Sequence, residues 1–186
     1  ACVGQQQRVS WVKDIRAHYE FEIPISMIRE ILKEMGVEGG RIGAELGENQ
    51  RLWISHNEFA NLQRELPKAK FIDASNILLG LRMIKSEAEV GFIRKACEIT
   101  SRVHEMIPDI LKEDMTEKEA AKTLEIRFAE EGGFSPFIMV AGRPQSHVLV
   151  TARFPPRNST LKLTDYLFVD IGCCYEGYWC DFSRHY

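Results

Sequence analysis

Apolar residues along this chain fall into stretches of helical period separated by short runs of strand period. The first ten residues are polar and carry no periodic signal. Between Val12 and Met35, the positions Ile23, Met27, Ile28, Ile31, Leu32 and Met35 follow the spacing of an amphipathic helix. Gly36 and then Gly39-Gly40 end it. The alternation from Arg41 to Leu46 predicts a short strand. Ser55 followed by Glu58 is a capping box that opens a helix through Leu66, and Pro67 closes it. Phe71-Ile72 begins a second short strand, so this first stretch reads as a small α/β unit.

A second capping box, Ser86 with Glu89, launches a long helix with Val90, Ile93, Cys97, Thr100, Val103, Ile107 and Leu111 on one stripe. Pro108 lies inside that run and is expected to kink or shorten it. A third box, Thr116 with Glu119, leads into Ala120, Leu124 and Phe128 and ends at Gly132-Gly133. The period then changes: Phe137 to Ala141 predicts a short strand and Tyr166 to Ile171 a longer one. The joint between the two halves is expected between Gly80 and Lys85.

Composition narrows the class without naming a chemistry. Of 186 residues, 45% are hydrophobic and 27% charged, an ordinary globular balance that excludes disorder as the main state. The net charge of −3 lacks the basic footprint of a nucleic-acid binder. No apolar run approaches the ~20 residues that span a bilayer, so no membrane partner is expected. The five cysteines, an odd number with no secretion signal ahead of them, point to reduced thiols and a cytoplasmic location. Cys173, Cys174 and Cys180 lack the paired-knuckle spacing of structural zinc and read as strand cysteines. The histidines His18, His56, His104, His147 and His185 show no H-E-x-x-H spacing.

The chemistry concentrates between Leu167 and Arg184. Glu176-Gly177 suits a two-residue hairpin turn, which sets Tyr175 against Tyr178 and Gly172 against Asp181. Alternation then puts Asp170, Gly172 and Asp181 on one face, with the two aspartates diagonal at roughly 7–8 Å and Gly172 leaving a gap between them. Converging carboxylates repel unless something offsets their charge, and a pair of divalent metals would do so. The alternative is a hairpin whose aspartates face solvent or pair with Arg184.

The pattern D-x-G-x-x-Y-x-G-Y-x-x-D-x-S-R from Asp170 to Arg184 resembles the first metal-binding hairpin of the creatinase/aminopeptidase, or pita-bread, family. That family includes Xaa-Pro aminopeptidase, prolidase and methionine aminopeptidase. The eleven-residue step from Asp170 to Asp181 matches its two aspartate ligands. Leu161 to Asp165 is similar to its L-x-x-G-D lead-in, with Thr164 in place of glycine, and Leu81 to Val90 resembles the prolidase-type entry into the catalytic domain.

The resemblance implies an α+β chain: a partial creatinase-type N-terminal α/β domain at 1–80, then the first half of a pita-bread catalytic domain at 81–186. It implies two divalent metal ions (Mn, Co or Zn) held by two Asp, one His and two Glu, with Asp170 and Asp181 as the two aspartates. The implied reaction is hydrolysis of the Xaa-Pro bond in short proline-containing peptides by a metal-bound hydroxide, in a homodimer. The family's histidine and glutamate ligands follow this hairpin, so the chain is expected to be part of a longer protein and to hydrolyse little alone. His147, after Gly142, is the candidate substrate-contacting histidine; a loop histidine beside Pro144 is the other reading, and counting back from the hairpin points instead to Ala152 or Arg153. Two further functions stay open, a non-catalytic pita-bread binding module and a family hydrolase or lyase acting on a small non-peptide substrate.

Overall fold

Pro24 decides where the amphipathic stretch becomes helix. The residue before a proline is disfavoured in the helical region, whereas a proline at a helix start loses no needed donor. In the computed structural model the helix therefore begins after Pro24, at Ile25, and Ile23 stays outside it. The structure describes residues 3–18, 23–48, 50–135, 137–142, 156, 158–162 and 166–186. The chain divides into two units, Ala1–Ile84 and Lys85–Tyr186.

The first unit contains α1 (Val3–Val9), α2 (Ile25–Glu34), β1 (Arg41–Ala44), α3 (His56–Glu65), β2 (Lys70–Asp73) and α4 (Ser75–Met83). Strands β1 and β2 pair in parallel, with Ile42 against Phe71 and Gly43 against Ile72. Such a pair needs a crossover, and α3 supplies it. Its capping box forms as expected, Ser55 accepting from the Glu58 backbone while the Glu58 carboxylate accepts from the Ser55 backbone. Phe59 meets Phe71 edge-on at 5.3 Å, and Leu62 and Leu66 are buried. Helices α1 and α4 depart from the reading of the pattern. The first lies in the polar opening segment and buries nothing. The second begins where the Asp73 carboxylate accepts from the Ser75 backbone, and it leaves Ile77 and Leu81 exposed, so no one-sided burial pattern announced it.

The second unit is built from α5 (Glu87–Ile110), α6 (Glu117–Glu130), β3 (Ile138–Gly142), β4 (Leu167–Tyr175) and β5 (Tyr178–His185). Both expected capping boxes form, at Ser86 and at Thr116. Pro108 sits in the last turn of α5, where it removes the backbone donor that would meet the His104 carbonyl, and the helix ends at Ile110. Gly132, with φ +79°, takes the left-handed conformation that stops α6. The strands form an antiparallel sheet in the order β3-β4-β5. Its core joins Ala96, Ile99, Val103 and Ile107 of α5, Ala120, Leu124 and Phe128 of α6, and Val140, Val169, Ile171 and Cys173 of the sheet. No helix among the described residues is long and apolar enough to cross a membrane.

Candidate metal centre

The hairpin turn fixes every later relationship in the site. Glu176 (φ +49°) and Gly177 (φ +84°) both lie in the left-handed region, as a primed two-residue turn requires. The resulting register sets Tyr175 against Tyr178, Cys173 against Cys180, and Gly172 against Asp181, as the spacing predicted. Asp170 lies in the central strand, opposite Met139 on one side and Ser183 on the other.

Alternation gives the sheet two distinct faces. One carries Val169, Ile171 and Cys173, all fully buried, with Cys180 and Phe182 beside them. Burial, and secondarily the neighbouring Cys180, pushes the Cys173 thiol up to about 11. The opposite face carries Asp170, half-buried, and Asp181, exposed. Arg184 belongs to the first face and lays its guanidinium over the Phe182 ring at 5.0 Å. Asp181 makes no ion pair among the described residues.

The gap expected at Gly172 is filled from a neighbouring segment. A Cβ there would run into the carbonyl oxygen of Cys180 and lie 2.9 Å from Phe137 Cε1. Glycine is therefore required by the close approach of Phe137 and of the partner strand, and the space between the aspartates is not empty. Phe137 was not recognisable beforehand, because sequence spacing says nothing about which ring crosses the central strand.

Two contacts brace the hairpin against α5. The Tyr178 hydroxyl donates to Glu89 Oε1 at 3.1 Å, and the Phe92 ring stacks on Tyr178 at 5.4 Å. At the other end, buried His104 stacks on Phe182 at 5.3 Å and places Nδ1 2.7 Å from the Tyr186 hydroxyl. That hydroxyl also lies 2.9 Å from the His104 carbonyl, whose helical donor would have come from position 108, a proline. Burial lowers the His104 pKa, outweighing the opposing pull of the Phe182 carbonyl.

His147, the candidate substrate-contacting residue, lies outside the described residues, as do Ala152, Arg153, Thr164 and Asp165. Among the described residues no group of three or more His, Cys, Asp or Glu side chains could hold a metal ion. The site as described is thus a pair of hard oxygen donors on one face. Two carboxylates fit divalent cations such as Mn²⁺ in ligand chemistry, and further ligands are needed to complete a coordination shell.

Helices packed on one face of an antiparallel sheet, with Asp170 and Asp181 on the other, make the second unit α+β. The model of metallopeptidase family M24 matches residues 91–186, just over half of the chain, and the creatinase/prolidase N-terminal domain matches residues 3–84. The chain belongs to metallopeptidase family M24.

Among its relatives, an uncharacterized peptidase of Staphylococcus saprophyticus is 29% identical over 83% of this chain and 45% of its own length. An uncharacterized peptidase of Methanocaldococcus jannaschii is 33% identical over 62% of this chain and 34% of its own. In structure, a dipeptidase from Pyrococcus horikoshii OT3 superposes with a TM-score of 0.77 at 26% identity, over 98% of this chain and 49% of that one. An Xaa-Pro dipeptidase from Bacillus anthracis shares the fold with a TM-score of 0.81 at 23% identity, over 98% and 48%. The chain spans half or less of the length of these proteins. The expected α+β fold class is borne out.

Proposed function

We propose that this chain forms part of a metal-dependent peptidase that hydrolyses the Xaa-Pro bond of short peptides. The observation that carries the reading is the register pair Gly172–Asp181, which sets Asp181 on the same face as Asp170 inside the family-matched segment. In this reading Asp170 and Asp181 hold two divalent ions, Mn, Co or Zn. Bound there, such ions would polarise the scissile carbonyl and lower the pKa of water so that hydroxide is available near neutral pH. The chain's own contribution is to hold two carboxylates side by side on a rigid hairpin, where their mutual repulsion favours cation capture. His147 is assigned to substrate contact. Residues 1–80 are assigned to the N-terminal α/β domain and residues 81–186 to the first half of the catalytic domain. The active form is a cytoplasmic homodimer with the remaining ligands supplied outside this segment.

The reading is tested on the protein as its gene encodes it, by following release of proline from Ala-Pro with added Mn²⁺, Co²⁺ or Zn²⁺. Proline release that chelation abolishes and the metal restores is expected. No release with any of the three ions would overturn it.

A further inference from the structure

Thiols gather where α5 meets β5, directly behind the carboxylate face. Cys180 is buried, and its Sγ lies 3.0 Å from Oγ1 of the buried Thr100 on α5. Cys97 stands one helical turn before Thr100, so its side chain leaves the same face of the helix. It packs against the core that contains Cys180, and the Cys180 thiol beside it joins burial in raising the Cys97 thiol. Cys97 is only partly buried, which gives a small oxidant access to the pair. The other described thiols are placed differently. Cys173 faces Cys180 across the strands but is fully buried, its Sγ occupying the space that a side chain at Gly133 would need. Directly opposed strand residues hold their Cβ atoms about 4.5–5.5 Å apart, wider than the ~3.8 Å typical of a disulfide. Cys174 projects from the other face of the sheet.

We infer that Cys97 and Cys180 are a redox pair whose disulfide ties α5 to β5 and weakens cation binding at the neighbouring Asp181. The effect on the cation rests on the metal-dependent reading and adds its regulation; the disulfide itself does not. The oxidant is a peroxide. The Cys97 thiolate attacks one peroxide oxygen and keeps it as a sulfenic acid, while the other oxygen leaves as hydroxide and takes up the proton that Cys97 released. The Cys180 sulfur then attacks the Cys97 sulfur, and the sulfenic oxygen departs as water with the Cys180 proton. Two thiols lose two electrons, hydrogen peroxide is reduced to two waters, and one S–S bond forms. Partial burial keeps the thiolate fraction of Cys97 small, so the pair answers sustained peroxide and not traces of it. A disulfide is about 2.05 Å long, well inside non-bonded contact, so its closure draws β5 toward α5 at Cys180. Asp181 is the next residue on that strand, and its position against Asp170 changes with it.

The test uses the protein as its gene encodes it, oxidised with hydrogen peroxide, cleared of the excess and digested without reductant. Peptide mass mapping should find Cys97 joined to Cys180, and a phosphine reductant should part them. Mn²⁺ affinity should fall about tenfold on oxidation and recover on reduction, within the usual range of coupling between two sites. In Cys97→Ser the link should be absent and peroxide should leave Mn²⁺ affinity unchanged, whereas Cys174→Ser should still form the link. Absence of the Cys97–Cys180 link in the unaltered protein overturns the inference. So does equal Mn²⁺ affinity in the linked and reduced forms. If the reduced protein binds no Mn²⁺, the cation reading fails. The mass map then decides the redox pair alone: a Cys97–Cys180 link upholds it, and no link overturns it.

Discussion

The Tyr178 hydroxyl donates to Glu89 Oε1 at 3.1 Å, joining the tip of the metal-face hairpin to the first turn of α5. Glu89 uses its second oxygen to accept the Ser86 backbone N–H at 2.7 Å, so one carboxylate closes the helix cap and anchors the hairpin. The Ser86 backbone and hydroxyl, then Tyr178, hold the Glu89 carboxyl below its ordinary range, and the same contact raises the Tyr178 phenol. Tyr178→Phe keeps the ring stacked on Phe92 and removes the bond. It should lower stability slightly, read as a shift of the denaturant midpoint to lower concentration.

Gly172→Ala should be the most damaging small substitution on the hairpin. The added methyl meets the Cys180 carbonyl and the Phe137 ring, and the carbonyl belongs to the paired strand and cannot turn aside. A loss of about 1–3 kcal/mol is expected by urea unfolding, the usual cost of overpacking. Phe137→Leu in the same background should recover only part of it, because the backbone clash remains.

Stability should depend on pH through His104. Burial lowers its pKa in the folded chain, against the ordinary value near 6.5 when unfolded. Between those two values the unfolded state binds the extra proton, so stability rises with pH across that window. It is therefore highest above about pH 6.5 and falls as the pH drops toward the lowered value of the folded state. Unfolding followed at pH 7.5 and again below pH 6 should show this loss, and His104→Gln should flatten it. The groups facing His104 are the Tyr186 hydroxyl, the Phe182 carbonyl and, at longer range, the Arg184 cation, which opposes a second positive charge.

Thiol reactivity should follow burial. Among the described cysteines Cys174 is partly exposed on the open face, whereas Cys173 is buried with its thiol held at about 11. Cys97 is partly exposed, but burial also raises its thiol. With a disulfide reagent at pH 8, Cys174 should label first and Cys173 only on unfolding, as mapped by peptide mass. Early labelling of Cys173 would contradict the packing of β4 on α5.

Local rules carried much of this fold into the sequence. Three capping boxes at Ser55, Ser86 and Thr116 mark helix starts because their side chains satisfy backbone donors within a few residues. The Glu176-Gly177 turn fixes the register back to Gly172 because a two-residue loop leaves no slack. What depended on distant segments was not legible. The helix at Ser75–Met83 buries almost nothing, so its apolar residues show no single buried stripe. Phe137 reaches Gly172 only because β3 lies beside β4, a pairing that no local pattern encodes. Likewise Phe134 bridges Cys174 from a distant stretch of chain, a pairing that the hairpin register does not foretell.

The central claim is that Asp170 and Asp181 form a cation site. Titration of the protein, as its gene encodes it, with Mn²⁺ by calorimetry tests this most directly, alongside Asp181→Asn, which keeps size and removes charge at an exposed position. The account predicts saturable stoichiometric binding that weakens at least about tenfold in Asp181→Asn, with circular dichroism unchanged. Equal Mn²⁺ affinity in the variant, or no stoichiometric binding in the unaltered protein, would contradict it.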